Sequence, residues 1–265
     1  MDLQLAGKRA LVTGSSSGLG EEIARLLAAE GASVVVHGRD EARTAAVAKA
    51  IREAAGEATV AIGDLGTDEG ADTVAAAALK AGPIDILVNN VGVYKPTAVW
   101  ESTSPGEWAD IYNINVVSSV RMIQRIVPGM RDRHWGRVIQ ISSVTGHLPQ
   151  SSQPHYAASN AARNNLAKSL ARDVKHSGVT SNAVAAGGIL VPAVREALTH
   201  MGKQNGWGDT WEQIEPNLVE ALSPNDVGRI GRPRDFAGLV AYLASPMSEY
   251  ITGTTLRIDG GWYDA

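Results

Sequence analysis

Two hydroxyl side chains and one glycine loop carry the chemistry that this chain could do. Ser143 closes an apolar run made by Val138, Ile139 and Ile141, and Tyr156 follows thirteen residues later, where a helical pattern begins. Each can donate and accept a hydrogen bond, and the phenol can also exchange a proton. A free tyrosine has a pKa near 10, so at pH 7 only about one molecule in a thousand is ionised. It is a poor base unless a positive charge helps it. One helical turn beyond Tyr156 stands Asn160, which carries no charge.

The glycine loop lies near the N-terminus. Thr13-Gly14-Ser15-Ser16-Ser17-Gly18-Leu19-Gly20 leads from the short apolar strand Arg9 to Thr13 into a helix whose Ile23, Leu26 and Leu27 recur at helical spacing, with Gly31 as its stop. Such a loop needs glycine where the chain turns, where it approaches a pyrophosphate and where helix meets strand, while the free helix N–H groups receive the phosphate charge. Gly14, Gly18 and Gly20 can take those roles. Ser33 to His37 reads as a second buried strand and completes a strand-helix-strand unit. At its end a carboxylate would suit the ribose hydroxyls, whereas an arginine suits a 2′-phosphate. Arg39 comes first and Asp40 second, so NADP(H) is expected over NAD(H), with Asp40 equally suited to N-cap the helix Glu41 to Ala55.

Strand and helix go on alternating. Strands are expected at Thr59 to Gly63, Ile84 to Val88, Arg137 to Ser142, Val179 to Ala185 and Thr254 to Asp259. Helices are expected at Thr67 to Ala81, from Ser104-Pro105 to about Arg131, from the tyrosine to about His176, and from Arg232-Pro233 through Ala244. That alternation implies an α/β, Rossmann-type, doubly wound parallel sheet in one domain over 1–265. Residues from about 190 to 232 interrupt it as a helical lid. Its Trp207 and Trp211 either line a substrate pocket or make a small core of the lid's own.

The loop, the Ser143 and Tyr156 pair, the Asn89-Asn90-Val91-Gly92 turn and the ending YITGTTLRIDGG resemble the short-chain dehydrogenase/reductase family, and in particular its 3-oxoacyl-ACP reductase-like members, over nearly the whole chain. The resemblance implies a nicotinamide-dependent ketoreductase, interconverting a carbonyl and a secondary alcohol. Tyr156 would exchange the proton, Ser143 would bond the substrate oxygen, and Asn115 would kink its helix and hold a relay water through its carbonyl. It also implies cofactor contacts from Gly14, Ser16, Ser17, Gly18, Leu19, Gly20, Arg39, Asp64, Leu65, Asn90, Val91, Gly92, Tyr156, Asn160, Gly187 and Ile189. The chain departs from the family at four places: Asn160 for lysine, Val91 for alanine, Ala186 for proline, and Val191 where a threonine often stands.

Asn160 is expected to keep a ribose contact but not the field of an ammonium. Lys95 and Arg163 read as ordinary surface charges, with a cation substituting for that ammonium as the lesser alternative, and His147 is expected to be a better proton shuttle than His155, which faces elsewhere on the helix. A nucleotide-binding pseudoenzyme with little turnover and a non-redox lyase on the same fold are the alternatives.

The 265 residues, 44% hydrophobic, suffice for one sizeable core, and the net charge of -4 with no clustered Lys and Arg gives no footprint for nucleic acid. With no cysteine, disulfides and thiolate chemistry are excluded. The six histidines show no paired spacing for a metal. No apolar run is long enough to span a bilayer and MDLQLAGKRA lacks a signal-peptide layout, so a cytoplasmic protein is expected. Its partner would be a small-molecule carbonyl or alcohol, with a homotetramer or homodimer implied by the resemblance and by Ala157, Ala158, Ala161 and Ala162 on one helix.

Overall fold

Seven short apolar segments pair side by side, all parallel, in the order β3-β2-β1-β4-β5-β6-β7. They are β1 (Arg9–Val12), β2 (Ser33–Gly38), β3 (Glu57–Ile62), β4 (Ile86–Asn89), β5 (Gly136–Ser143), β6 (Val179–Ala186) and β7 (Thr255–Ile258) in the computed structural model, which describes residues 2–262. β5 and β6 are buried at every position, as expected of central strands covered on both faces.

The connecting helices are α1 (Gly18–Ala29), α2 (Glu41–Glu53), α3 (Asp68–Leu79), α4 (Pro105–Tyr112), α5 (Ser118–Asp132), α6 (Pro154–Asp173), α7 (Pro192–Gln204), α8 (Trp211–Leu222) and α9 (Pro233–Ala244). One face of the sheet packs on α1, α2 and α9 through Ile23, Leu27, Ile51 and Val240. The other packs on α3 and α5 through Val74, Ala78, Met122 and Met130. Helix starts follow the local chemistry: Asp40 and Thr67 accept from the third backbone N–H of α2 and α3, and Ser104 with Glu107 makes a reciprocal cap before Pro105. No described helix is long and apolar enough to cross a membrane.

The helical region expected from Ser104 to about Arg131 is present, with its irregularity at the expected Asn115. Residues Asn113–Val117 form a π-turn between α4 and α5. A π-turn frees carbonyls from the regular ladder, and such turns recur at functional sites.

Strand order reverses between β1, which leads to β2 and β3, and β4, which leads to β5. That switch point opens a crevice at the carboxyl ends of the strands. The glycine loop is pinned there from two sides. Asn90 donates from Nδ2 to the carbonyls of Thr13 (2.9 Å) and Gly14 (3.0 Å). His37, buried at the end of β2, accepts from the Gly14 N–H (2.9 Å) at Nδ1 and faces the Gly63 carbonyl (3.2 Å) with Nε2. Because Nδ1 must accept, the proton sits on Nε2 and the ring is neutral. Asn89 does not share the tying role: its side chain is buried with no hydrogen-bond partner among the described residues.

Burial, partly opposed by the Gly63 carbonyl and Asp64, lowers His37 from 6.5 to about 4. The folded state therefore resists a proton that the unfolded chain accepts. Stability associated with His37 should be whole above pH 6.5 and be lost as pH falls towards 4, by up to about 3 kcal/mol. Urea unfolding at pH 7 and pH 4.5 measures this: the acid loss should be smaller in His37→Gln than in the unaltered protein, and equal losses would refute it.

Candidate active site

Gly14 and Gly18 take left-handed conformations, with φ of 64° and 62°. A Cβ on Gly20 would stand 2.4 Å from the Gly14 carbonyl oxygen and 2.5 Å from Asn90 Nδ2, so only glycine lets α1 begin this close to β1. Ser17 is the N-cap of α1 but makes no side-chain cap bond, which leaves the first N–H groups of α1 without a side-chain acceptor from it. Leu19 is buried beneath the loop, and Ser16 lies against Gly38. Val91 fills space under the turn, its Cγ2 3.2 Å from where a Gly14 Cβ would be.

At the end of β2 the two charged residues have separate fates. The Asp40 carboxylate accepts from the Arg43 N–H (2.9 Å) and pairs with the Arg43 side chain, which together hold it below the usual carboxylate range. Arg39 is exposed, and no carboxylate among the described residues forms an ion pair with it. Asp64 is exposed and its carboxylate closes a turn onto the Gly66 N–H (2.9 Å), with Leu65 buried beside it. These residues ring one end of the crevice and fit a dinucleotide.

The other end holds the hydroxyl groups. Ser143 is the last residue of β5, and Tyr156 is the third residue of α6. Between them the turn Val144–Gly146 lies directly on α6, where a Cβ on Gly146 would stand 2.8 Å from the Ala161 nitrogen and 2.8 Å from the Asn160 carbonyl carbon. Ser143 Oγ accepts from the Thr145 N–H (3.2 Å) and from Thr145 Oγ1 (3.0 Å). Its own proton is thus left to donate outward. His147 is exposed and meets Asn164 (3.2 Å), which in turn accepts from Ser142 (2.6 Å).

Asn160 is buried and turned away from the crevice, donating from Nδ2 to the Tyr156 carbonyl (2.9 Å). This engages one of the amide's two N–H groups on its own helix. Asn115 is buried too, exchanging hydrogen bonds with the Val93 backbone (2.7 and 3.0 Å) and reaching Ser159 Oγ (3.1 Å). Its main-chain carbonyl accepts from Nε of Arg163.

Arg163 overturns the expectation of a surface charge. It is 4% exposed, and its guanidinium also donates to the carbonyls of Ile141 and Val91. Lys95 agrees with the expectation, paired with Glu107 at the surface. His155 faces away as expected, buried with its ring centroid 6.0 Å from that of Trp108.

Sequence reasoning missed Tyr94. Its ring meets that of Tyr156 edge to face at 5.6 Å, and burial with the neighbouring phenol raises it above the usual tyrosine range. An aromatic residue just after the Asn-Asn-Val-Gly turn was the available signal. Gly187 backs onto Asp259, and Ile189 bridges to Gly231 at the foot of the lid. Val191 reaches over the loop to within 3.6 Å of a Gly18 Cβ position. Trp207 and Trp211 pack with Ile214, Leu218 and Ile230, so they belong to the lid's own core.

The model of the short chain dehydrogenase family matches residues 8–202. The chain belongs to the short-chain dehydrogenase/reductase family. It is 36% identical over 261 residues to the 3-oxoacyl-[acyl-carrier-protein] reductase FabG of Vibrio harveyi, covering 98% of this chain and 99% of that one. Among solved structures it superposes on L-sorbose reductase from Gluconobacter frateurii complexed with NADPH and L-sorbose, with a TM-score of 0.92, 30% identity and full coverage of both chains. A 3-oxoacyl (acyl-carrier-protein) reductase from Agrobacterium tumefaciens C58 with NADP bound gives a TM-score of 0.87 at 35% identity, over 98% of this chain and 96% of that one.

The contact between the Gly146 turn and α6 sets where Ser143 stands relative to Tyr156. Gly146→Ala should cost about 1–3 kcal/mol, because the new methyl meets backbone atoms that cannot rotate away. Thermal unfolding checks this, at about 2–4 °C per kcal/mol for a chain of this size; an unchanged midpoint would contradict the close approach.

Proposed function

We propose that this protein is an NADP(H)-dependent reductase that interconverts a small-molecule carbonyl and a secondary alcohol. What carries the reading is that the glycine loop opening α1, Ser143 ending β5 and Tyr156 in the first turn of α6 all follow the carboxyl ends of strands in one parallel sheet, where ligands of such sheets bind. The preference for NADP(H) over NAD(H) is supported by Arg39, exposed and unpaired by carboxylate where Asp40 is already engaged as an N-cap. A guanidinium presents a planar fork that matches a 2′-phosphate.

The chemistry that a bound nicotinamide supplies is the giving or taking of hydride at a carbon. The chain's own residues handle the oxygen. Ser143, its oxygen already accepting twice, directs its O–H at the substrate oxygen and stabilises the charge that grows there. Tyr156 gives its phenolic proton to that oxygen during reduction and takes it back during oxidation. Tyr94 stands edge to face against the Tyr156 ring on one side. Arg39, Gly14, Gly18 and Gly20 would hold the adenosine and pyrophosphate half, with Asn90 and Gly92 beside the ribose.

The relatives' own names suggest the first substrates to try, a 3-oxoacyl thioester and a ketose. Fluorescence titration should show NADPH binding more tightly than NADH, and Arg39→Ala should weaken NADPH by about 10- to 100-fold with NADH little changed, the scale of a charged hydrogen bond. Tyr156→Phe should keep NADPH affinity and lower ketone reduction by about 10²- to 10⁴-fold. Binding of neither dinucleotide would end the redox reading, and binding without turnover on any ketone would leave a nucleotide-binding pseudoenzyme.

A further inference from the structure

Tyr156 has its backbone fixed in the first turn of α6, but the side-chain hydrogen bonds made to it reach its main-chain carbonyl, from Ser159 Oγ (2.8 Å) and Asn160 Nδ2 (2.9 Å). Neither bond holds the phenol. Tyr156 is half-buried, and a side chain so placed can turn between rotamers unless something packs on its ring. Among the described residues the aromatic ring that meets it is that of Tyr94, edge to face, with centroids 5.6 Å apart and 66° between the planes. That is the geometry aromatic pairs prefer.

Tyr94 is 57% exposed, so its place follows chiefly from its backbone. That backbone is tied to α6 by a circuit that returns to Tyr156. Asn115, in the π-turn, accepts from the Val93 N–H at Oδ1 (2.7 Å) and donates from Nδ2 to the Val93 carbonyl (3.0 Å), which fixes the residue before Tyr94 on both sides. The same Nδ2 donates to Ser159 Oγ (3.1 Å), and Ser159 donates to the Tyr156 carbonyl. Tyr156, Ser159, Asn115, Val93 and Tyr94 thus form a closed ring of contacts, and the aromatic pair is the link that closes it. Burial and the neighbouring phenol hold Tyr94 above the usual tyrosine range, so what it offers is a neutral ring.

We propose that Tyr94 is a positioning residue for the reaction: held by Asn115 through Val93, its ring fixes the rotamer in which Tyr156 presents its phenol to the substrate oxygen. The inference rests on the redox reading for its purpose. Its test has one readout that needs turnover and one that does not.

With saturating NADPH and a ketone that the unaltered protein reduces, Tyr94→Ala should lower kcat by about 10- to 100-fold, the scale on which a misplacement of about 1 Å acts. NADPH affinity and the thermal midpoint should stay close to those of the unaltered protein. Tyr94→Phe keeps the ring and should recover most of kcat. Three results would overturn the proposal: a kcat in Tyr94→Ala equal to that of the unaltered protein, a loss confined to KM, which would make Tyr94 a wall of the substrate site, or a Tyr94→Phe as slow as Tyr94→Ala. Should the unaltered protein reduce no ketone, the redox reading falls and ring motion decides for Tyr94 with neither cofactor nor substrate present. With the tyrosine rings labelled with carbon-13, the Tyr156 signal is the one lost in Tyr156→Phe, and relaxation gives its order parameter. That parameter should fall in Tyr94→Ala and be kept in Tyr94→Phe; an unchanged value in Tyr94→Ala would refute the positioning.

Discussion

A guanidinium sealed inside a protein needs acceptors, and in this chain each of its three nitrogens finds a carbonyl, which draws three elements to one point. Arg163 takes the carbonyls of Val91, Asn115 and Ile141. A regular helix would have spent the Asn115 carbonyl on its own ladder; the π-turn at Asn113–Val117 releases it. The Val91 carbonyl is available because the chain has left β4 and not yet entered α4. The turn after β4, the bend between α4 and α5 and the last residues of β5 are thus held in register by one side chain of α6. Truncating it would leave three buried carbonyls and the space between them unfilled.

Elements also approach one another closely at two glycines in this region. Gly20 admits α1 to the edge of β1, Gly146 admits the turn after Ser143 to α6, and neither tolerates a side chain because what faces it is backbone. His37 and Asn90 then fix the glycine loop by hydrogen bonds that do not depend on a bound ligand. Much of the cost of ordering a dinucleotide loop has therefore been met in folding.

Architecture was legible in the sequence because period and punctuation agree: alternating apolar runs and helical stripes, with Gly, Pro, Ser, Thr and Asp at the boundaries. Asp40, Thr67 and Ser104 cap helices where their types say they should. The Ser143 and Tyr156 spacing was readable too, since it is local to one strand-turn-helix. What sequence could not give is where a long polar side chain points. Arg163 reads as a solvated charge on a helix rich in Asn, Lys and Arg, and only the convergence of elements distant in sequence shows it to be interior. Asn160 shows the same limit: its type gives the reach of an amide, while only the structure shows one N–H donated to the Tyr156 carbonyl. Trp207 and Trp211 left two readings open until Ile214, Leu218 and Ile230 were seen packed against them.

The lid keeps its own apolar cluster, separate from both faces of the sheet, and joins the strands through the Ile189–Gly231 bridge. Its roof can accordingly be rebuilt, residue by residue, while the sheet beneath keeps every one of its packing partners. A scaffold divided in this way lets selectivity drift independently of foldability. A 3-oxoacyl-[acyl-carrier-protein] reductase and an L-sorbose reductase can then both resemble this one chain.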